Sequence, residues 1–312
     1  MDNFFIHFVL CNITIDLFVL ILLCMKRIFK HCLTPRMQFN LWIPFTISLF
    51  VPFLPVSFST LSTKMRDLFH PLAHFSHAVH TTNTSEYTSS STNQIYDYAI
   101  SMRTQFPAYI STIFCVIWGI GMFVMLFSFV RSLVLLHHMR RTANLMQDKR
   151  IHAIYLTCLS ELQLRKSIPL YSSSIIDTPV STGILRPAIF LPLHRISNFE
   201  EQEIRYILLH ELMHCYYKDA IFNYCMNIIR ILYWFHPLIW LITKEFYTER
   251  ELACDTSVLR LLGANEQISY GVTLLHFVDK QNNAPLSLLN NLSENAKQMK
   301  RRILNIKQHQ PL

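Results

Sequence analysis

Three stretches of almost unbroken apolar residues, 4–25, 39–58 and 106–130, dominate the first half of the chain. At about 1.5 Å per residue, each can cross a hydrocarbon core about 30 Å thick. The second carries Pro44, Pro52 and Pro55, which predict a kinked span. Asn12 and Asp16, four apart in the first, should face protein rather than lipid. Residues 59–105 are polar and rich in Ser, Thr and Asn, and read as a loop. His70, His74, His77 and His80 share a helical stripe there with no acid or thiol among them, the pattern of a surface helix more than of a metal site.

Beyond 137 the pattern changes. Residues 140–166 fit a surface helix, and 168–193 breaks into short β-branched runs punctuated by Ser172 to Ser174, Pro179, Gly183, Pro187 and Pro192, which predicts a small sheet. Ile204, Ile207, Leu208, Leu212 and Met213 then recur at helical spacing. Ser197 or Asn198 can open that helix through a capping box with Glu200 or Glu201. Segment 222–242 is apolar enough for a fourth span, but Arg230 in its middle and His236-Pro237 predict a bent, membrane-facing helical hairpin instead. Helix resumes over 256–279, a break follows at 281–285, and Lys297 to Arg302 form a basic helix.

Composition turns these spans into a class. Of 312 residues, 51% are hydrophobic and only 15% charged, unlike a soluble globule. The formal charge of +8 gathers beside the spans, with Lys26, Arg27, Lys30 and Arg36 after the first and Arg140 and Arg141 after the third. Both flanks should therefore be cytoplasmic, with the amino terminus and 59–105 outside and everything from Arg131 inside. A multi-pass protein of the cell membrane in contact with the lipid bilayer accounts for the basic balance, and no direct nucleic-acid partner is expected. The eight cysteines show no paired spacing, and Cys215 and Cys254 read as small buried hydrophobes.

The chemistry concentrates in His210-Glu211-Leu212-Met213-His214. Helical residues four apart lie one turn above each other, so both imidazoles can aim at one point. Zinc accepts neutral imidazole, and a catalytic site uses three protein ligands while keeping a fourth position for water. Glu211 is placed to take that water's proton, so the pattern predicts hydrolysis. The bland alternative is a core helix with two hydrogen-bonded histidines.

A third ligand must come from a distant segment. Glu251 and Asp255 are four apart on a predicted helix, so Glu251 is the expected ligand and Asp255 the carboxylate that holds a ligating histidine. Asp219, five after His214, is a second candidate for that outer role. The competing explanation is a solvated acidic face. Were 222–242 a single crossing, His210 and Glu251 would lie on opposite sides of the bilayer and could not share an ion.

The runs His210 to Asp219, Tyr233-Trp234-Phe235-His236-Pro237-Leu238 and Glu249 to Asp255, with Thr182 to Pro192 upstream, resemble the zinc metallopeptidase domain of the beta-lactam-sensing antirepressors of the BlaR/MecR type. The resemblance implies a gluzincin-like α+β domain and a cytoplasmic protein substrate, either a transcriptional repressor or the chain itself; a homodimer is compatible with it. Longer members continue through another span into a penicillin-binding sensor domain, and this chain is expected to hold the transmembrane and peptidase portion only. Arg301-Arg302 is a candidate self-cleavage site, although a basic pair at a membrane flank is the commoner explanation. An edge strand near Thr182, Gly183, Ile184 and Leu185 would bind an extended substrate through its main chain.

The expectation is thus a mainly α membrane protein: a transmembrane region over 1–136, a cytoplasm-facing zinc metallopeptidase domain over 137–280 with a small sheet, and a basic segment over 281–312. The alternative class is a non-proteolytic membrane receptor or scaffold with a structural or inactive metal site. A transporter fits poorly, because the ligand-type residues lie outside the spans.

Overall fold

The computed structural model describes residues 2–29, 33–50, 108–164, 166–196, 198–279 and 289–308. The expected histidine-rich loop, residues 51–58 of the second span and the break at 281–285 lie outside the described residues. What is described is mainly helical with one small mixed sheet. It divides into two compact units, Met1–Val19 with Ile47–Ile120, and Leu20–Thr46 with Gly121–Leu312. The first unit contains the start of helix α1 (Asp2–Ile28) and the start of α4 (Ala108–Thr142). Every residue of the candidate site belongs to the second.

Within α4, Thr112–Thr142 is long and apolar enough to cross a membrane, and among the described residues it alone meets that criterion. It runs past the expected end at 130 because no breaker intervenes before Thr142. Of its two glycines, only Gly121 serves close packing: a Cβ there would overlap the Trp234 ring, whereas one at Gly119 would meet nothing within 4 Å.

The expected helix over 140–166 is interrupted. Strand β1 (Asn144–Leu145) intervenes, and α5 (Lys149–Glu161) begins afresh because the Asp148 carboxylate accepts the Arg150 amide at 2.8 Å. The sheet that follows comprises β2 (Leu170–Ser173), β3 (Val180–Thr182) and β4 (Ala188–Pro192) in the order β1-β2-β4-β3. Leu170 of β2 pairs parallel with Ile189, and Ser181 of β3 pairs antiparallel with the same residue. β4 is buried along its length, and β3 is left as an edge.

A short helix α6 (Leu193–Ile196) leads to α7 (Glu201–Tyr216). Here the start is later than the capping box from Ser197 or Asn198 predicts. Glu200 is the capping residue, and its amide donates to Glu203 at 3.1 Å, so the same device operates further along. Leu208, Leu209 and Leu212 of α7 pack with Ile189 and Leu191 of β4 in the main core.

Segment 222–242 is two helices, α8 (Asp219–Leu232) and α9 (Pro237–Leu262). His236 adopts an extended backbone and Pro237 opens α9, where its missing amide costs nothing. The chain therefore turns, and Cys254 and Val258 of α9 join the core beside α7. Helices α10 (Gln267–Asp279) and α11 (Leu289–Gln308) complete the described chain.

One basic residue expected at a membrane flank is buried instead. Lys26, 7% exposed, pairs with Glu249 of α9 and lies 3.7 Å from the ring centre of Trp42. Helices α2 (Pro35–Asn40) and α3 (Trp42–Ser48) are separated at Leu41, so the described part of the expected span over 39–58 is not one helix; Trp42 Nε1 of α3 donates to the same Glu249 oxygen at 2.6 Å. Charge counting along the chain reads such a lysine as a topology signal because its partner lies more than two hundred residues away.

Candidate metal centre

His210 and His214 stand one turn apart on buried α7. The Nδ1 atom of each is already engaged. His214 Nδ1 bonds Asp219 Oδ2 at 2.7 Å, and His210 Nδ1 lies 3.0 Å from the Tyr270 hydroxyl and 3.3 Å from Asp255 Oδ1. Tyr270 in turn donates to Asp255 Oδ1 at 2.7 Å. Both Nε2 atoms consequently point inward and lie 3.2 Å apart.

Glu251 closes this pair into a triangle. Its Oε2 lies 3.4 Å from His210 Nε2, and its Oε1 lies 3.8 Å from His214 Nε2. A tetrahedral ion with bonds of about 2.0–2.1 Å to nitrogen and oxygen has edges of about 3.3–3.4 Å, so the 3.2 Å and 3.4 Å separations match edges of a zinc site, while the approach to His214, at 3.8 Å, is made by the other carboxylate oxygen. Histidines whose far nitrogens are held by carboxylates or hydroxyls are what such sites use. The residues present therefore fit the ion.

A second grouping overlaps the first, because the ligand atoms of His210, His214 and Cys254 all lie within 4.8 Å of one another. The carboxylate is the better third ligand on geometric grounds. Cys254 Sγ lies 3.5 Å from His210 Nδ1, the side already taken by Tyr270 and Asp255, and donates to the His210 carbonyl at 3.4 Å. Glu251 instead faces the inward nitrogens.

The electrostatics match. Burial opposes the charge on Glu251, but Arg250, His214, His210 and Arg302 outweigh it and hold the carboxyl well below its ordinary range. Arg250 Nη2 bonds Glu251 Oε1 at 2.6 Å, and Oε2 is the oxygen nearer His210. Asp255 is likewise held low, its burial outweighed by Arg302 and by the His210 contact. Without metal the His214 imidazole is pushed up to about 10: burial works against its charge, and Cys254, Glu251 and the bond to Asp219 prevail.

Arg302, expected at a basic flank or cleavage site, sits within α11 at 9% exposure with Nε 2.7 Å from Asp255 Oδ2 and Nη1 3.5 Å from Glu251 Oε2. Arg301 points away and pairs with Glu245 at 2.9 Å. Tyr270, Arg250 and Arg302 are the site residues that sequence reasoning misses in these roles. Only Arg250, adjacent to Glu251, offers a local clue.

A cleft of about 690 Å³ opens onto the triangle, lined by 180–185 together with Glu211, Arg250 and Arg302. Glu211 is buried and lines this cleft beside both histidines. Thr182 ends β3, whereas Gly183, at φ +107, Ile184 and Leu185 form the turn after it, so the edge strand available to a substrate is 180–182.

The chain belongs to the BlaR1 peptidase M56 family, whose model matches residues 6–306. It is 29% identical over 310 residues to the regulatory protein BlaR1 of Bacillus licheniformis, which covers 98% of this chain and 51% of that protein. It is 26% identical over 253 residues to the methicillin resistance mecR1 protein of Staphylococcus aureus, 77% of this chain and 40% of that protein. The regulatory protein BlaR1 of Staphylococcus aureus is 23% identical over 305 residues, 93% of this chain and 48% of that protein. The chain thus spans about half the length, or less, of these curated relatives. Membership of this family implies a peptidase.

Proposed function

We propose that this protein is a membrane-embedded zinc endopeptidase that cleaves a cytoplasmic protein, with a regulatory outcome in keeping with the names of its relatives. The observation that carries this reading is the triangle of His210 Nε2, His214 Nε2 and a Glu251 carboxylate oxygen, with both Nδ1 atoms held from behind. Zinc, when bound, polarises the scissile carbonyl and lowers the pKa of a coordinated water to about 7.

The chain's own residues supply the rest. Glu211 accepts the water's proton and returns it to the leaving amine. The free edge of β3 offers main-chain hydrogen bonds that align an extended peptide. Asp255 and Asp219 keep the imidazoles in the orientation that directs Nε2 inward.

On this reading Thr112–Thr142 crosses the membrane, and the basic flanks put the amino terminus outside and the cleft in the cytoplasm, close to the membrane surface. The compact unit that holds the site includes Leu20–Thr46 besides the carboxy-terminal portion. The substrate class is a transcriptional repressor, with cleavage of the chain itself as a second substrate. Cutting at Arg301-Arg302 would require α11 to open first, since a helical bond cannot lie extended along a strand.

The test is metal analysis and reporter proteolysis on purified protein. Glu211→Gln should keep zinc and lose cleavage by about a hundredfold or more, and Glu251→Ala should lose zinc. Full cleavage by Glu211→Gln would overturn the role of Glu211, and no cleavage by the zinc-loaded wild type would favour a receptor or scaffold.

A further inference from the structure

The cleft at the triangle does not end there. A second groove of about 500 Å³ runs between α4 and α8, and Val180, Ser181, Thr182, Ala220 and Asn223 line both. Beyond these shared residues the walls mix apolar side chains, Met125, Phe129 and Leu133 among them, with a few polar ones. Ser128 and Ser132 line the α4 side, and Asn227 and Arg230 the α8 side. Asn223, Asn227 and Arg230 recur at helical spacing, so they form one face of α8.

Arg230 is the distinctive member. Its guanidinium carbon lies 4.4 Å from the ring centre of Trp240, which holds it flat. Its Nε is buried and makes no hydrogen bond among the described residues. A guanidinium has five donors and matches a carboxylate with two parallel bonds, so an arginine that lines a groove with its Nε unanswered suits a carboxylate ligand. A lipid phosphate has the same chemistry. Continuity with the peptidase cleft through Val180, Ser181 and Thr182 of the edge strand favours a peptide.

We infer that the groove is an extended substrate subsite in which Arg230 takes an aspartate or glutamate side chain of the bound peptide. This rests on the peptidase reading and adds a substrate class to it. The seven steps from Asn223 to Arg230 span about 10 Å of helix, which an extended peptide covers in about three residues. The acidic residue therefore lies at least three positions beyond the point where the peptide passes Asn223.

The experiment profiles cleavage of a peptide library from digested cytosolic proteins by the zinc-loaded protein in nanodiscs, read by mass spectrometry. The wild type should show acidic residues enriched on one side of the cut, three or more positions away. Arg230→Glu should abolish that enrichment or replace it with Lys and Arg, lowering kcat/KM for acidic peptides by about tenfold to a hundredfold while non-acidic peptides are cut as before. Arg230→Gln, which keeps a polar side chain, should lose the enrichment without reversal. In parallel, a labelled acidic peptide should bind the Glu211→Gln protein more weakly once Arg230→Glu is added.

Glu211-dependent cleavage with no acidic preference, or a preference that Arg230→Glu leaves intact, overturns the subsite and spares the peptidase reading. Absence of Glu211-dependent cleavage removes both. If Arg230→Glu alters only binding to phosphatidylglycerol vesicles, the groove holds lipid and the inference falls.

Discussion

Arg302 on α11 grips Asp255 on α9 through two hydrogen bonds, Nε to Oδ2 at 2.7 Å and Nη2 to Oδ1 at 2.8 Å, and Asp255 lies 3.3 Å from His210 Nδ1. Helix α11 thereby reaches His210 through one intermediary, besides the direct approach of Arg302 Nη1 to Glu251 Oε2 at 3.5 Å. Both partners are buried, so Arg302→Met leaves an uncompensated carboxylate and should cost about 3–5 kcal/mol in unfolding experiments. Zinc affinity, read by chelator competition, should fall about tenfold to a hundredfold, with partial recovery in Arg302→Lys. Unchanged affinity in a folded Arg302→Met protein would detach α11 from the centre.

Asp219 does for His214 what Asp255 does for His210. Asp219→Asn should therefore weaken zinc by about tenfold to a hundredfold while the protein stays folded. Arg36 lies 4.0 Å from Asp219 Oδ1 and 3.4 Å from the Tyr217 ring centre, so Arg36→Met should give a smaller loss in the same assay. Equal zinc affinities in wild type and Asp219→Asn would contradict the arrangement.

The buried pair of Lys26 and Glu249 should behave cooperatively in a double-mutant cycle. Each single change to Met leaves a buried charge and should cost about 3–5 kcal/mol. The double variant should recover much of that loss, held back by the Trp42 Nε1 donor that then lacks its acceptor. Strictly additive losses in detergent unfolding curves would show that the pair does not couple.

The histidine chemistry sets a pH dependence. In the metal-free protein the His214 pKa is raised to about 10, so its stabilising contribution is complete below the unfolded value of about 6.5 and is lost as pH rises through 10. Metal needs the neutral ring, and binding must expel that proton. Zinc affinity should thus rise by up to about tenfold per pH unit across this window, with proton release visible by calorimetry in buffers of different ionisation enthalpy. Glu251 and Asp255 have depressed values and the opposite sign, contributing above about pH 4 and losing that contribution only in acid. A flat affinity from pH 6.5 to 9 would exclude a protonated His214 in the metal-free state.

Local periodicity carries what the chain discloses by itself. Helical geometry puts His210 above His214 and Glu251 one turn from Asp255, so those residues are legible from spacing, and proline chemistry makes the turn at His236-Pro237 equally so. The small sheet shows in its β-branched runs, although its edge lies at Val180–Thr182, because Gly183 turns the chain before the predicted position. Tertiary structure alone decides which distant groups meet. Tyr270 reaches His210, Arg302 reaches Asp255, and Lys26 reaches Glu249. No spacing rule connects such partners: each pairing exists because α9 folds back on α7 and buries charges that must then find their complement in the interior.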